Sequence, residues 1–451
     1  MTKLRLAIVG AGPAGIYAAD IALKAEKNFD VSIDLFDQLP APYGLVRYGV
    51  APDHPRIKGI ITALREVLDR GDIRFFGNVE YGVAITLADL KRHYNAVIFS
   101  TGAIKDAPLN IPGVELEGSY GAAEFVSWFD GHPDVPRTWP LKATSVAVIG
   151  NGNVALDTAR MLVKHAANLL STEIPGNVYD GLAANPVTDV HVFGRRGPAQ
   201  AKFSPLELRE LGELADVDMI VYDEDFILDA ASQAAIETNK QVFVLHKVMN
   251  SWRERETGAA SRRLHLHFYA KPLEVVGDEN GHVSALRYER TKPDGGGGIV
   301  GTGEIRELPI QALYRAVGYY GSPLPELPFD EKRGVIPNRE GQVVGDDGAI
   351  VPGVYATGWI KRGPVGLIGH TKSDAMETVK HLLRDQAHWW APASPEEGSI
   401  VDLLESRGVE FTTIDGWVAL DEHEIALGEP QGRARIKVVD RDAMITISRQ
   451  K

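Results

Sequence analysis

Two glycine-rich stretches carry the residues whose spacing points most directly to chemistry. In the first, Gly10, Gly12 and Gly15 form a G-x-G-x-x-G pattern between an apolar strand, Leu4–Val9, and a helical pattern. Such a turn lets backbone N–H groups at a helix N-terminus approach a pyrophosphate without an intervening Cβ. Asp37 ends the next apolar strand, where a dinucleotide-binding unit uses an acid to bind ribose hydroxyls. The pattern predicts a dinucleotide site without distinguishing FAD from NAD.

The same pattern recurs in the middle of the chain. An apolar strand, Ser145–Ile149, leads into Gly150 and Gly152 and then into a helical pattern, with Ala155 in place of the third glycine. Two fingerprints in one chain predict two bound dinucleotides.

The second strand of this repeat, Asp189–Phe193, ends in Arg195 and Arg196 rather than in an acid. A carboxylate there would repel a 2′-phosphate, whereas two guanidinium groups can form charge-assisted hydrogen bonds with it. The pair therefore predicts a preference for NADP over NAD, and a solvated turn is the alternative interpretation. The polar insertion at 172–186 is interpreted as a surface excursion.

The remaining elements must position these turns. The loop 40–55 is dense in Pro, Gly and aromatic residues, which indicates an ordered loop wrapping a ligand. A third glycine-rich stretch, 353–370, includes Trp359, which could cover a flat ligand, and leads into a helix. Antiparallel strands are predicted at Gln241–His246, Leu264–Tyr269, Val283–Arg290 and Ile299–Pro309.

The tail from Ala393 is predicted to contain one helix, Ile400–Arg407, and two or more strands. Within it, Asp421–Glu424 lacks metal-ligand spacing and is interpreted as a solvated helix cap or turn.

Composition excludes several classes of protein. The chain has 451 residues, which predicts two or three domains, and its net charge of −13 argues against general binding to nucleic acid or anionic membranes. It contains no cysteine, so a disulfide relay, a cysteine-ligated iron–sulfur cluster and a cysteine zinc site are excluded. No stretch approaches the ~20 apolar residues of a membrane span. No leader pattern fits the N-terminus, and a cytoplasmic location is predicted.

Six motifs together resemble the adrenodoxin-reductase-like ferredoxin:NADP reductases over essentially the whole chain. They are GAGPAG, YGLVRYGVAPDHP, NGNVALD, FGRRGP, SPLELREL and ATGWIKRGPVGLIG. The resemblance implies an α/β fold of two Rossmann-like domains with a glutathione-reductase-like architecture. Residues 1–104 and 320–451 would form the FAD domain, and residues 105–319 an inserted NADP domain. Gly369-His370-Thr371-Lys372 departs from the usual Gly-Thr-Asn-Lys, which puts contacts by residues 370 and 371 in doubt.

The resemblance implies the following site residues. FAD positions are matched by Gly12, Pro13, Ala14, Asp37, Leu45, Val83, Trp359, Gly366, Leu367 and Ile368, and NADP positions by Asn153, Val154, Arg195, Arg196, Glu207 and Gly366. Further cofactor contacts are predicted at Gly10, Gly15, Gln38, Gly44, Val46, His54, Thr101, Gly102, Gly150, Gly152 and Gly358. His54 and Glu210 match a polar pair at the active centre, and either relay a proton or only position the loop.

The implied reaction is ferredoxin:NADP⁺ oxidoreduction: hydride passes from NADPH to FAD and single electrons then pass to a ferredoxin-type iron–sulfur carrier, or the reverse. The sequence offers no metal site for this chemistry. An acidic carrier is predicted to dock near Arg253, Arg255, Arg262 and Arg263, although such a charge run is also typical of a solvated face.

Two other functions fit parts of the sequence. An NADPH-dependent diaphorase or a glutamate-synthase-like or thioredoxin-reductase-like flavoprotein shares the two fingerprints, but the absence of cysteine removes the disulfide and the cluster that the last two use. An NADPH-sensing binding module would need only the second fingerprint and would leave the first without a role.

Overall fold

The computed structural model describes residues 3–366 and 368–450, without the side chain of Ile368. The first third of the chain alternates strands with helices. Its elements are β1 (Lys3–Val9), α1 (Pro13–Lys24), β2 (Asp30–Phe36), α2 (Leu45–Tyr48), α3 (Pro55–Lys58), α4 (Ile60–Leu68), β3 (Ile73–Phe76), α5 (Leu87–His93) and β4 (Ala96–Phe99).

The middle of the chain contains its own α/β unit followed by three long strands. Its elements are β5 (Lys105–Asp106), β6 (Ser119–Gly121), α6 (Ala122–Phe129), β7 (Ser145–Ile149), α7 (Asn153–Val163), α8 (Gly176–Ala183), β8 (Asp189–Phe193), α9 (Pro205–Leu211), β9 (Val217–Val221), α10 (Ala230–Thr238), α11 (Lys240–Arg253), β10 (Arg262–His267), β11 (Ala270–Gly277), β12 (Val283–Pro293), β13 (Ile299–Pro309), β14 (Ala312–Arg315) and β15 (Tyr319–Tyr320).

The last part returns to the first unit and ends in helices. Its elements are β16 (Asn338–Arg339), β17 (Gln342–Val344), β18 (Ile350–Ala356), α12 (Trp359–Arg362), α13 (Ile368–Arg384), α14 (Glu397–Ser406), α15 (Ile414–Gly428) and α16 (Arg441–Arg449).

Two sheets organise these elements. The first has the order β16-β17-β18-β4-β1-β2-β3 and takes strands from both ends of the chain, whereas the second has the order β6-β14-β7-β8-β10-β9 and is parallel. Strands β11, β12 and β13 form a separate antiparallel sheet, and β5 pairs with β15. Central strands are apolar runs such as β4, which is buried throughout, because helices cover both faces of a parallel sheet. The predicted α/β fold with two dinucleotide-binding units is confirmed.

The strand predicted at Leu264–Tyr269 is present as β10, but it pairs in parallel with β8 and β9, so the antiparallel prediction there was wrong. The prediction of a strand at Gln241–His246 was wrong altogether, because these residues lie in helix α11. Asn239 caps this helix through its side chain, which accepts hydrogen bonds from Gln241 N and Val242 N. Leu245, Met249 and Trp252 recur at helical spacing and are buried in the second unit's core. Packing of this stripe outweighs the β propensity of the short Val-Phe-Val run.

The tail is helical, so the predicted strands there were also wrong. Asp421–Glu424 lies inside α15 instead of forming a solvated cap, and Glu424 is fully buried. Its carboxylate binds the buried Arg47 guanidinium through two hydrogen bonds, of 2.5 and 3.0 Å. On the same helix, Trp417 packs edge-on against Tyr43. The tail thus covers the proline-rich loop of the first unit.

Replacing Glu424 by Gln is expected to lower the free energy of unfolding by ~1.5–3 kcal/mol, the range for hydrogen bonds to charged groups. The variant removes the charge that compensates buried Arg47. Unfolding in urea, followed by tryptophan fluorescence, measures the loss. Glu422→Gln on the exposed side of the same helix is the control and should change stability by less than ~0.5 kcal/mol. Equal effects for the two variants would contradict this role of the buried pair.

The insertion at 172–186 is not a surface excursion. Ile174, Val178 and Leu182 are buried in the core of the second unit. Glu173 forms ion pairs with Lys58 and Lys437 of the first unit, at 2.7 and 2.8 Å. The insertion therefore joins the two units.

Candidate active site

The first glycine turn lies at the carboxyl end of β1. Gly10 has φ of +109°, and a Cβ there would lie 2.5 Å from the carbonyl oxygen of Ser100. A Cβ on Gly15 would collide with the carbonyl oxygen of Gly10, so this glycine allows α1 to approach the strand. Gly12 is the N-cap of α1 and makes no side-chain cap, which leaves the helix N-terminus available to an anion.

Asp37 is buried at the end of β2 and organises this turn. Its carboxylate accepts hydrogen bonds from Ala11 N (2.7 Å) and Leu39 N (2.9 Å). Burial raises the pKa of Asp37 to about 6. Each carboxylate oxygen keeps a second lone pair, so the residue can hold the turn and still accept a hydroxyl hydrogen bond.

Other predicted cofactor residues gather around the same turn. Gly44 faces Gly12, and a Cβ on Gly358 would lie 2.7 Å from the Cβ of Ala14, so the third glycine-rich stretch meets the first. Trp359 stacks near Tyr319, with ring centroids 6.3 Å apart. Pro13 begins α1, Leu45 and Val46 lie in α2, Gln38 is exposed beside Asp37, and Thr101 and Gly102 follow β4. Gly366 has a positive φ, whereas Leu367 and the side chain of Ile368 lie outside the described residues.

The FAD contact predicted for Val83 stays a prediction. Its side chain is 74% exposed, and its N–H bonds to Glu80 O within a local turn. Val79, four residues earlier, is buried and donates its N–H to Asp37 O at 2.8 Å. Both valines follow β3, and only a structure shows which of them reaches the turn.

The second glycine turn lies at the carboxyl end of β7. A Cβ on Gly150 would collide with the carbonyl oxygen of Ala316, whereas a Cβ on Gly152 would meet no atom within 4 Å. Gly152 caps α7 without a side-chain hydrogen bond, as Gly12 does for α1. Asn151 Oδ1 is buried and has no hydrogen-bond partner among the described residues. These features leave an open, polar space at the start of α7.

Neighbouring residues extend this space. Asn153 Oδ1 accepts a hydrogen bond from Ser204 N at 2.8 Å, which connects the turn to α9, and Val154 follows it in the first turn of α7. Arg195 and Arg196 are exposed beyond the end of β8. Their carbonyl oxygens accept hydrogen bonds from Thr291 Oγ1 and Tyr269 N, which hold the backbone. Both side chains are exposed, and the Arg196 guanidinium makes one long hydrogen bond, of 3.5 Å, to Gly297 O.

A charged cluster lies between the two units, where His54 of the first reaches α7 and α9 of the second. His54 Nδ1 is 3.4 Å from Glu210 Oε2, so the predicted pair is brought together. His54 Nε2 is 3.0 Å from Asp157 Oδ1 and 2.7 Å from a guanidinium nitrogen of Arg160. A protonated ring can donate to both carboxylates, whereas a neutral ring can accept from Arg160 and donate to Glu210.

Asp53, Asp157 and Arg160 are functional candidates that the sequence analysis missed. Arg160 binds Asp53 through two hydrogen bonds of 2.9 Å and lies 2.8 Å from Asp157 Oδ1. Burial would raise the pKa of Asp53, but Arg160 and Lys164 lower it well below its usual value. Burial and the charge of Arg160 lower the pKa of His54, but the hydrogen bond to Asp157 together with the negative charges of Asp157 and Asp53 outweighs them, so the pKa is raised. The available signal was the i,i+3 spacing of Asp157 and Arg160 behind the second glycine turn.

Glu207 lies beside this cluster in the first turn of α9. It is 6% exposed, and its Oε2 has no hydrogen-bond partner among the described residues. Burial, reinforced by the nearby charge of Asp157, raises the pKa of Glu207 to about 7. A buried carboxyl group without a partner is suited to receive an N–H or O–H of a ligand.

The four arginines predicted to dock a carrier differ in their burial and in their partners. Arg262 is buried, and its guanidinium donates to the carbonyl oxygens of Val163, Lys164 and Asn185, so its predicted surface role was wrong. Arg263 binds Asp189 at the amino ends of β10 and β8, opposite the nucleotide edge of the sheet. Arg253 pairs with Asp223, and Arg255 donates to Gly212 O.

A search of residues 3–366 and 368–450 found no helix long and apolar enough to cross a membrane.

Comparisons with known proteins agree with this geometry. Residues 4–193 match the model of the pyridine nucleotide-disulphide oxidoreductase family. The chain is 39% identical over 461 residues to the NADPH-ferredoxin reductase FprA of Mycobacterium tuberculosis, covering 99% of both chains. It is 36% identical over 457 residues to the mitochondrial NADPH:adrenodoxin oxidoreductase of Bos taurus, covering 98% of this chain and 92% of that protein.

A solved structure of the Mycobacterium tuberculosis FprA in complex with NADPH superposes with a TM-score of 0.89 at 37% identity, covering 99% of this chain and 100% of that one. Identity and coverage of this extent, together with the two glycine turns, place the chain in the family of NADPH-ferredoxin reductases and NADPH:adrenodoxin oxidoreductases.

Proposed function

We propose that this protein is an FAD-dependent NADPH–ferredoxin reductase. The observation that supports this most is the contact of His54, from the loop beside the first glycine turn, with Asp157 on the helix that follows the second turn. Two dinucleotides bound at these turns would meet at one charged cluster. Hydride transfer requires such an approach of a nicotinamide to a flavin.

The first turn fits FAD. The open N-terminus of α1 would hold the pyrophosphate, Asp37 a ribose, and the backbone around Gly358 and Gly366 would approach the flavin, with Trp359 beside it. When bound, FAD would supply the conversion between a two-electron hydride and single electrons.

The second turn fits NADPH as the substrate. Gly152 and the N-terminus of α7 would bind its pyrophosphate, and Arg195 and Arg196 its 2′-phosphate. The unpartnered oxygens of Asn151 and Glu207 are acceptors suited to ribose hydroxyls or the carboxamide N–H group of the nicotinamide.

We further propose the domain division predicted from the sequence, with an FAD domain of residues 1–104 and 320–451 and an NADP domain of residues 105–319. Its boundaries fall beside the paired strands β5 and β15. The first sheet contains only strands that precede β5 or follow β15, and the second contains only strands that lie between them in the chain. A cytoplasmic location stays part of this proposal.

The test is NADPH-dependent reduction of cytochrome c by the purified protein, with and without added ferredoxins. We expect a yellow protein that releases FAD on heating and reduces cytochrome c rapidly only when a ferredoxin is present. Ferricyanide reduction without any ferredoxin-coupled activity would favour a diaphorase or a glutamate-synthase-like role. A colourless protein that binds NADPH but cannot be reconstituted with FAD would contradict the proposal and favour an NADPH-sensing module.

His54 and Glu210 are proposed to move a proton as the flavin is reduced. Because the pKa of His54 is raised above 6.5, its ring keeps a proton at pH values somewhat above 6.5 and releases it at higher pH. In stopped-flow experiments, His54→Ala is expected to slow flavin reduction by NADPH ~10- to 100-fold. The variant should also lose the change in rate that accompanies deprotonation of His54 in the pH profile of the parent. An unchanged rate and pH profile would leave only a positioning role for His54.

The carrier is proposed to be an acidic ferredoxin that docks beside Glu210. Helices α9 and α11 pack against each other. Their outer faces, together with Lys202 three residues before α9, carry cations that form no ion pair among the described residues. We call this the α9–α11 surface; its cations are Lys202, Arg209, Lys240 and Lys247, and its exposed apolar side chains are Leu206 and Phe243. Unpaired cations around apolar side chains suit an acidic partner in a chain of net charge −13.

Charge reversal at Lys240 and Lys247 is expected to raise the KM for ferredoxin about 10-fold and to leave ferricyanide reduction unchanged, because a small acceptor does not need the docking face. The effect should shrink as salt screens the charges. Lys271→Glu, an exposed lysine on β11, is the control. Reversal at Arg255 and Arg263 tests the alternative surface; a larger effect there would favour the predicted arginine face over the α9–α11 surface.

A further inference from the structure

Three buried histidines lie on one face of the second sheet, away from the charged cluster. His191 on β8 stands opposite His265 on the neighbouring strand β10. His267 follows two residues later and therefore points to the same face. Their ring centroids are 4.2, 5.2 and 6.2 Å apart, and all three side chains are buried.

We propose that His191, His265 and His267 form a binding site for a divalent transition metal ion such as Zn²⁺. Three imidazole nitrogens are a ligand set that binds Zn²⁺ with a fourth position left for water or another group. One nitrogen from each ring lies within 4.8 Å of the others. This site goes beyond the proposed reductase activity, which does not require it.

One pair of nitrogens already has nearly the spacing found in a tetrahedral site. His191 Nδ1 and His267 Nε2 are 3.0 Å apart and share a hydrogen bond. Zn–N bonds of ~2.0–2.1 Å at tetrahedral angles separate two ligand nitrogens by about 3.3 Å. An ion would replace this hydrogen bond after a displacement of a few tenths of an ångström, and the ring that donates the shared hydrogen would carry it on its other nitrogen instead. The three rings are close to parallel, with interplanar angles of 20°, 31° and 14°, so at least two of them must also rotate for the three lone pairs to converge on the ion.

A carboxylate already orients the third ring. His265 Nε2 lies 3.1 Å from Asp189 Oδ1, and Asp189 is held by the Arg263 guanidinium. With its Nε2 hydrogen donated to Asp189, His265 keeps a lone pair on Nδ1, which lies 2.9 Å from the hydroxyl of Tyr222. A carboxylate behind a ligating histidine is the arrangement that fixes its tautomer in many metal sites. Tyr222 would then be the fourth ligand or a hydrogen-bond partner of a bound water.

The charges around the cluster also permit a cation. The nearby cations Arg290 and Arg306 are paired with Asp225 and Glu224.

The test uses the untagged flavoprotein after treatment with a chelator, titrated with Zn²⁺ against a chromophoric competitor, with zinc content measured after desalting. We expect one Zn²⁺ per chain, and His191→Asn and His265→Asn should each weaken binding at least about 10-fold. His282→Asn, at an exposed histidine, should bind as the parent does. His54→Gln removes a possible ligand from the other candidate group, which consists of His54, Asp157 and Glu207, and this variant should also bind Zn²⁺ as the parent does.

X-ray absorption of the zinc-loaded parent protein adds a measurement that needs no variant, and it should show three imidazole ligands. Far-UV circular dichroism and FAD content establish that each variant is folded. No zinc binding by the parent, fewer than three imidazoles, or binding that survives His191→Asn but is lost in His54→Gln would each overturn the proposal. Because NADPH oxidation is measured separately, failure of the metal site leaves the reductase assignment untouched.

Discussion

Replacing Arg195 or Arg196 by Ala is expected to raise the KM for NADPH about 10- to 100-fold and to leave the KM for NADH unchanged. Each guanidinium would form a charge-assisted hydrogen bond with the 2′-phosphate, worth ~1.5–3 kcal/mol, and NADH lacks that phosphate. The double variant should lose about 100- to 1,000-fold, since both arginines address one group and their contributions need not add. Steady-state ferricyanide reduction with each nucleotide gives the four KM values.

The structure indicates that these substitutions change the side chains without changing the backbone. Both side chains are exposed, while the backbone at the two positions is held through the carbonyl oxygens by Thr291 and Tyr269. Truncation to Ala therefore removes charge without disturbing the turn. Lys292→Ala, an exposed cation in the neighbouring strand β12, is the matched control and should leave both KM values unchanged. Parallel losses for NADPH and NADH would refute 2′-phosphate recognition.

The parts of the fold that the sequence predicts well are those dictated by backbone geometry. The turn at Gly10 requires a positive φ and no Cβ beside Ser100, and Gly15 must lie against Gly10, so few sequences satisfy the turn and its signature is specific. The strands before these turns are continuous apolar runs because both faces of a parallel sheet are covered.

Long-range packing explains the errors. The Val-Phe-Val run in α11 has the β propensity of a strand, but Leu245, Met249 and Trp252 pack at helical spacing in the core of the second unit. The sequence around Glu424 is typical of solvent-exposed acids. Only the folded structure shows that Arg47, from a distant part of the chain, binds this carboxylate. Neither partner can be identified from local sequence.

The charged cluster shows the same limit at the site. His54 and Glu210 were predicted as a pair through a family resemblance, and they do meet. Asp157 and Arg160 were missed because their function depends on His54 and Asp53 arriving from the other unit. The i,i+3 spacing of Asp157 and Arg160 on α7 was the available local sign.

Replacing Arg160 by Met is expected to lower the free energy of unfolding of the NADP-binding unit by about 3–5 kcal/mol, because it leaves the carboxylates of Asp53 and Asp157 buried without their main partner. The loss should depend on pH. In the parent the pKa values of both acids are lowered, so their stabilisation is present above pH ~4. In the variant, burial without the guanidinium raises the pKa values of the two acids. The difference in unfolding free energy between parent and variant should therefore grow from pH 5 to pH 8.

Urea unfolding followed by tryptophan fluorescence at pH 5 and pH 8 measures this difference. The variant with Asp53→Asn and Asp157→Asn added to Arg160→Met should recover part of the stability, because it removes the uncompensated charges. Arg253→Met, which breaks the partly exposed pair with Asp223, is the control and should cost less than ~1 kcal/mol at either pH. A small, pH-independent loss for Arg160→Met would show that the two carboxylates are stabilised by other groups. In that case, Arg160 would contribute little to holding His54 between the two nucleotide turns.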